Sequence, residues 1–238
     1  MASRDAGNRR PSPRFAKFSS VSGDSDDFEF DDELADEWIE EWEQAERDAV
    51  ALLRTALAEH RGKPAPADGL SAGAAEVRER LRVGEHPLDW VRQAAGLTGR
   101  AAVKDDAELL IRLTAATISA EEDSELDVEE ASLLMSLELA DWLGAIISAV
   151  RAGPYSDASP RALIDGVRNC PELELAADLD DEESHLSAAF WIVALPWQLL
   201  GLTDRDQRLT EVGAWVLPRA LARAWGGDFD AEVFESGE

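Results

Sequence analysis

Glu182 and His185 stand three residues apart. That spacing lays a carboxylate and an imidazole on one helical face, as in di-iron carboxylate bundles. Such a centre also needs a second copy and two further glutamates. Neither His60 nor His86 has a Glu three residues before it, so the pair reads as coincidence. His60 ends a helical run, where the helix dipole favours a cation, and His86 precedes a helix start. Cys170 is the single cysteine, which excludes an internal disulfide and a cysteine-based zinc site. Set in Asn169-Cys170-Pro171, it reads as a small buried residue and not as a nucleophile. Carboxylate pairs abound, but fifty acids in 238 residues make them uninformative about acid–base catalysis. There is no Gly-rich phosphate loop, no Gly-x-Ser-x-Gly elbow and no His-Glu-x-x-His. Gly96-Leu97-Thr98-Gly99-Arg100 lacks the lysine and hydroxyl pair that nucleotide binding needs. No catalytic, metal-binding or cofactor-binding residue is assigned, and the expectation is a protein that is not an enzyme and carries no cofactor.

Recognition chemistry is better represented. Trp38 and Trp42 are one helical turn apart and present a joined apolar surface. Glu37, Glu40 and Glu41 surround them. Indoles are favoured interface anchors, and the acids would steer a basic partner toward them. These five residues are the candidate partner-binding set. The other reading is that their helix folds back and buries the indoles on its own body. Phe15, Phe18, Phe28 and Phe30 in the preceding polar tail are further candidate anchors.

The elements that must hold these residues are helical. Residues 1–33, rich in Ser, Arg, Pro, Gly and Asp, read as a disordered tail. In 34–60, Leu34, Trp38, Trp42, Ala45, Ala49, Leu52, Leu53 and Ala56 recur at spacings of three and four, giving an acidic amphipathic helix. Residues 61–70, with Lys63-Pro64-Ala65-Pro66, read as a linker. Two helical lobes are expected after it, 71–153 and 154–238. The first holds helices at Ser71–Val83, Pro87–Ala95, Asp105–Ser119 and Asp127–Arg151. In the second, Ser159-Pro160 opens a helix by N-cap and Pro-first rules. Asp180 and Glu183 suggest a capping box for a helix over Asp181–Leu200. The uncharged stretch from Leu186 to Leu202 is short for a bilayer span and reads as a buried core helix. Trp90, Trp142, Trp191, Trp197, Trp215 and Trp225 are all expected in the core.

The run Leu199-Leu200-Gly201-Leu202-Thr203-Asp204-Arg205-Asp206-Gln207-Arg208-Leu209-Thr210-Glu211-Val212-Gly213 resembles the closing part of a winged-helix domain. The resemblance implies a helix ending in Gly-Leu, a short strand, a charged wing turn and a second strand ending in Leu-Thr-x-x-Gly. A last helix follows over Glu211–Trp225, with Thr210 as its N-cap. The fold expected is thus mostly α, a compact helical body with a small winged-helix-like β-hairpin near the C-terminus. Arg205 and Arg208 would be the wing contacts. One departure bears on function: a DNA-reading helix is polar and basic, yet the helix before this turn has no Lys or Arg and begins Asp180-Asp181-Glu182-Glu183.

Charge separates the remaining function classes. The chain carries −27. Residues 1–23 hold five bases and one acid, whereas 24–60 hold fifteen acids and two bases. Such a surface repels phosphate, so nucleic acid is disfavoured as a partner and a membrane is not expected. The reading is a non-enzymatic interaction or regulatory protein whose acidic aromatic N-terminal arm binds a basic protein. The alternatives are a winged-helix-like DNA-associated regulator and, after it, a phosphate-mimicking inhibitor. Lacking an apolar run behind its N-terminal arginines, the chain is expected to be cytoplasmic.

Overall fold

The computed structural model of the chain describes residues 44, 47–52, 54–60, 62–84, 86–97, 103–119, 126, 128–170 and 179–225. They are mostly helical, as the periodicity predicts. Helix α1 is helical at 47–52 and 54–60. The others are α2 (Ala67–Val83), α3 (His86–Ala94), α4 (Asp106–Ile118), α5 (Val128–Met135), α6 (Leu139–Ala152), α7 (Pro160–Arg168), α8 (Leu179–Leu199) and α9 (Glu211–Trp225). No strand occurs among the described residues, only isolated antiparallel bridges, Thr203 with Leu209 and Asp157 with Arg208.

Several boundaries follow from local chemistry readable in the chain. Asp105 caps α4, its carboxylate accepting from the Glu108 amide at 2.7 Å. Ser159 caps α7 by accepting from the Ala162 amide at 3.4 Å, with Pro160 at the first position. Thr210 caps α9, its hydroxyl accepting from the Gly213 amide at 2.9 Å.

Other boundaries differ. The single helix expected over Asp127–Arg151 is two, α5 and α6, turned 79° at a short break. The Asp141 carboxylate reaches back to accept from the Glu138 amide at 2.9 Å and starts α6 afresh. Helix α8 begins at Leu179, so Asp180 lies inside the helix and not at its cap. Helix α2 begins at Ala67, within the segment read as linker. Gly69 serves there as a point of close approach to α9, since a Cβ on it would meet Val212 Cγ2 at 2.9 Å.

The described residues on both sides of the expected 153/154 lobe division belong to a single compact unit. One buried cluster runs from Ala49, Ala56 and Leu57 of α1 through Leu110 and Leu113 of α4, Trp142 and Ile146 of α6, and Leu163 of α7 to Val216 and Leu221 of α9. The described part of α1 therefore packs into the body and is not an independent arm. Helices α6 and α7, on either side of the expected 153/154 division, touch backbone to backbone: a Cβ on Gly144 would lie 2.8 Å from Val167 Cα.

Candidate functional site

The centre of the core fixes α8. Phe190, Val193 and Trp197 on one side of this helix are fully or almost fully buried. Trp142 of α6 meets Phe190 edge-on at 5.6 Å between ring centroids and Trp197 at 6.3 Å. The Trp197 indole N–H donates to the Thr117 hydroxyl of α4 at 2.9 Å, and that hydroxyl donates to the Thr114 carbonyl at 2.7 Å. Packing of this kind leaves α8 little freedom to rotate.

The opposite side of α8 is open. Trp191 is 60 % exposed and Leu195, one turn further on, 47 %. Ser184 and Ala188 precede them on the same stripe, Ser184 exposed and Ala188 half-buried. Val83, at the end of α2, is 66 % exposed. One turn before it, Arg80 donates to the Leu199 carbonyl at the end of α8. A rigid helix thus displays an indole and an isobutyl group to solvent, with four acids in its first turns and no Lys or Arg along its length.

Trp191 was expected in the core and is not there. The reason is geometric. Phe190 to Trp197 are eight consecutive apolar residues, and at about 100° per residue they sweep the whole circumference of the helix. Such a run cannot say which side its neighbours will cover. The signal available was its excess: a helix needs only one apolar stripe to join a core. Trp90, Trp142 and Trp197 are buried as expected, while Trp215 and Trp225 are half-buried.

The turn after α8 is closely organised. Gly201 has φ +75°, Asp204 Oδ1 accepts from the Asp206 and Arg208 amides at 2.8 and 2.9 Å, and the Thr210 amide donates to the Leu202 carbonyl at 2.9 Å. The segment after α6 runs alongside: the Tyr155 amide donates to the Leu209 carbonyl at 2.7 Å, and the Ala158 amide to the Gln207 carbonyl at 2.9 Å. Arg205 and Arg208 are both exposed on this turn. Arg208 lines a shallow recess with Tyr155, Asp157, Ser159 and Asp206, so its charged neighbours there are acids. Tyr155, also in the recess, is 65 % exposed and has φ +70°.

Comparison with protein-family models, curated proteins and solved structures finds no match.

The remaining predicted residues fall as follows. Trp38, Trp42, Glu37, Glu40 and Glu41 lie outside the described residues, as do the four phenylalanines of the tail. His185 is exposed on α8. Cys170 is buried. His60, expected as a cation at a helix end, is instead buried, 3 % exposed. In the recess, Asp157 accepts from the Ser159 amide and Ser159 caps α7, so both serve local structure. A second cleft, about 150 Å³, is walled by alanines of α3, α4 and α9 with Arg112 and Arg223 at its edge. Arg112 Nε donates to the Ala95 carbonyl at 2.7 Å, and Arg223 pairs with Glu108 at 2.8 Å. Neither depression brings a nucleophile to a base. Among the described residues no single helix is long and apolar enough to cross a membrane.

Proposed function

We propose that this is a non-enzymatic interaction protein that docks on a basic protein partner. The observation that carries the reading is the exposed Trp191–Leu195 pair on a rigid helix that holds four acids and no base. Exposed aromatic and aliphatic anchors on a fixed platform supply buried contact at low entropic cost. The acids on the same helix, within a chain of net charge −27, make a Lys/Arg-flanked apolar segment the complementary occupant. The acidic arm, with Trp38, Trp42, Glu37, Glu40 and Glu41, is proposed as a second contact for the same partner.

A second reading, a DNA-associated regulator, draws on the winged-helix-like order of α8, a bridged charged turn with Arg205 and Arg208, and α9. An α8 without bases weighs against it.

The test uses a synthetic amphipathic peptide pairing Leu and Phe with Lys and Arg, and its Glu-substituted counterpart. The full chain should bind the basic peptide alone. W191A/L195A should weaken binding by about ten- to a hundredfold, the scale of truncated aromatic anchors, without lowering the melting temperature. W38A/W42A should weaken it independently. Equal binding of the acidic peptide, or undiminished binding by W191A/L195A, would refute the reading. Salt-sensitive retention on duplex DNA would favour the second one.

A further inference from the structure

His60 closes the described part of α1 and is 3 % exposed, and neither of its ring nitrogens has a hydrogen-bond partner among the described residues. Buried imidazoles are ordinarily paired. Its surroundings are cationic. Lys63 stands in the turn that follows α1, Arg219 on α9 and Arg151 on α6, with Glu59 as the acid that faces it. Glu59 itself lies 3.7 Å from Arg151.

Arg219 clamps the end of α1. One nitrogen of its guanidinium donates to the His60 carbonyl at 3.1 Å, and another to the Trp215 carbonyl at 2.8 Å. The guanidinium also lies over the Trp215 ring, 3.9 Å from its centroid. The clamp thus holds the His60 backbone and brings a fixed positive charge close to the His60 ring. A neutral ring is compatible with this arrangement. An imidazolium there would be a buried cation beside the Arg219 clamp, with Glu59 shared with Arg151, and burial disfavours that charge.

We propose that His60 is a proton-sensitive latch on α1. When neutral, it lets the end of the helix seat under the Arg219 clamp. When protonated, it unseats α1, the element that leads in sequence from the acidic N-terminal segment into the body. This inference does not depend on what the Trp191 face binds. Acidification would alter how α1 is held and leave α8 in place.

The sign follows from the environment. Burial first, then Lys63, Arg219 and Arg151, hold the His60 pKa below its ordinary value, and Glu59 opposes them. A histidine lowered in the folded state contributes stability that is complete above its unfolded pKa of about 6.5. That contribution is lost as pH falls from there through the folded value.

Hydrogen exchange of the full chain, read on peptides spanning 47–60 at pH 7.5 and 5.5 and corrected for the intrinsic rate, tests the latch. Protection should fall at the lower pH by up to about tenfold per pH unit, the ceiling for one proton. The loss should be confined to α1 and the α9 turn around Trp215. His60→Leu should abolish the response, and His185→Ala should leave it intact. An unchanged exchange rate in the wild type, or the same acid response in H60L, overturns the proposal. If H60L fails to fold, the His60 ring titration followed by NMR in the unaltered chain decides. A midpoint below the ordinary imidazole value supports the latch, and one at or above it overturns the latch.

Discussion

Gly213 has no room for a side chain. A Cβ there would lie 2.1 Å from the Leu202 carbonyl oxygen and 2.9 Å from Leu209 Cδ1. The Leu202 carbonyl already accepts from the Thr210 amide, and Thr210 caps α9 through the Gly213 amide, so it cannot retreat without undoing the cap. Gly213→Ala should therefore cost at least about 1–3 kcal/mol, the range for overpacking, read as a lower urea midpoint. An unaltered midpoint would show that the turn relaxes freely. Thr117 tests a different physics. Thr117→Val keeps the shape but leaves the buried Trp197 indole N–H without its acceptor, at a cost of about 1–3 kcal/mol. A chemical melt equal to wild type would mean that the indole finds another partner. At this scale the chain discloses the residue types; the contact that makes Gly213 indispensable lies within the same turn, whereas Thr117 and Trp197 meet across 80 residues.

Between elements, α6 and α7 approach backbone to backbone. A Cβ on Gly166 would sit 3.0 Å from the Gly144 carbonyl oxygen, and one on Gly144 would meet Val167 Cα at 2.8 Å. Gly144→Ala should push the two helices apart and destabilise by about 1–3 kcal/mol. Gly62→Ala is the control: nothing lies within 4 Å of its added methyl, so its effect should be near zero or slightly stabilising. Equal melting temperatures for the two variants would contradict the close packing. The break between α5 and α6 belongs here too. Apolar residues continue on both sides of the turn, Leu133, Leu134 and Leu137 before it and Trp142 and Ile146 after it. What starts the second helix is the Asp141–Glu138 contact, a pairing that periodicity does not report.

For the molecule as a whole, charge outweighs the ion pairs. Among the described residues the pairs are mostly exposed, as with Arg82–Glu79 at 2.5 Å and side-chain exposures of 70 % and 60 %, and such pairs contribute little. A net charge of −27 opposes compaction through self-repulsion. Raising salt from about 10 mM to 150 mM shortens the Debye length from about 30 Å to 8 Å, so the melting temperature should rise. A fall on adding salt would show that the ion pairs dominate after all. Acid should act against the fold in two stages. The His60 contribution declines first, below the ordinary imidazole value. The Asp106 carboxyl, held below its usual value by its hydrogen bond from Arg78 and then one from Ser71, gives stability that persists to lower pH and is lost as it protonates.

Helix content, the caps at Asp105, Ser159 and Thr210, and the acidity all follow from local features, because capping and amphipathic spacing act within a few residues. The sequence by itself therefore determined a mostly helical chain and where several of its helices begin. Which side of α8 is buried, whether the described part of α1 stands apart, and whether His60 is buried were decided only in three dimensions. The apolar run Phe190–Trp197 has no preferred face until Trp142 and Thr117 cover one of them. His60 carries no mark in the chain of the Arg219 and Arg151 that later surround it, 159 and 91 residues downstream. Burial and charge depend on neighbours, and here those neighbours are distant in sequence.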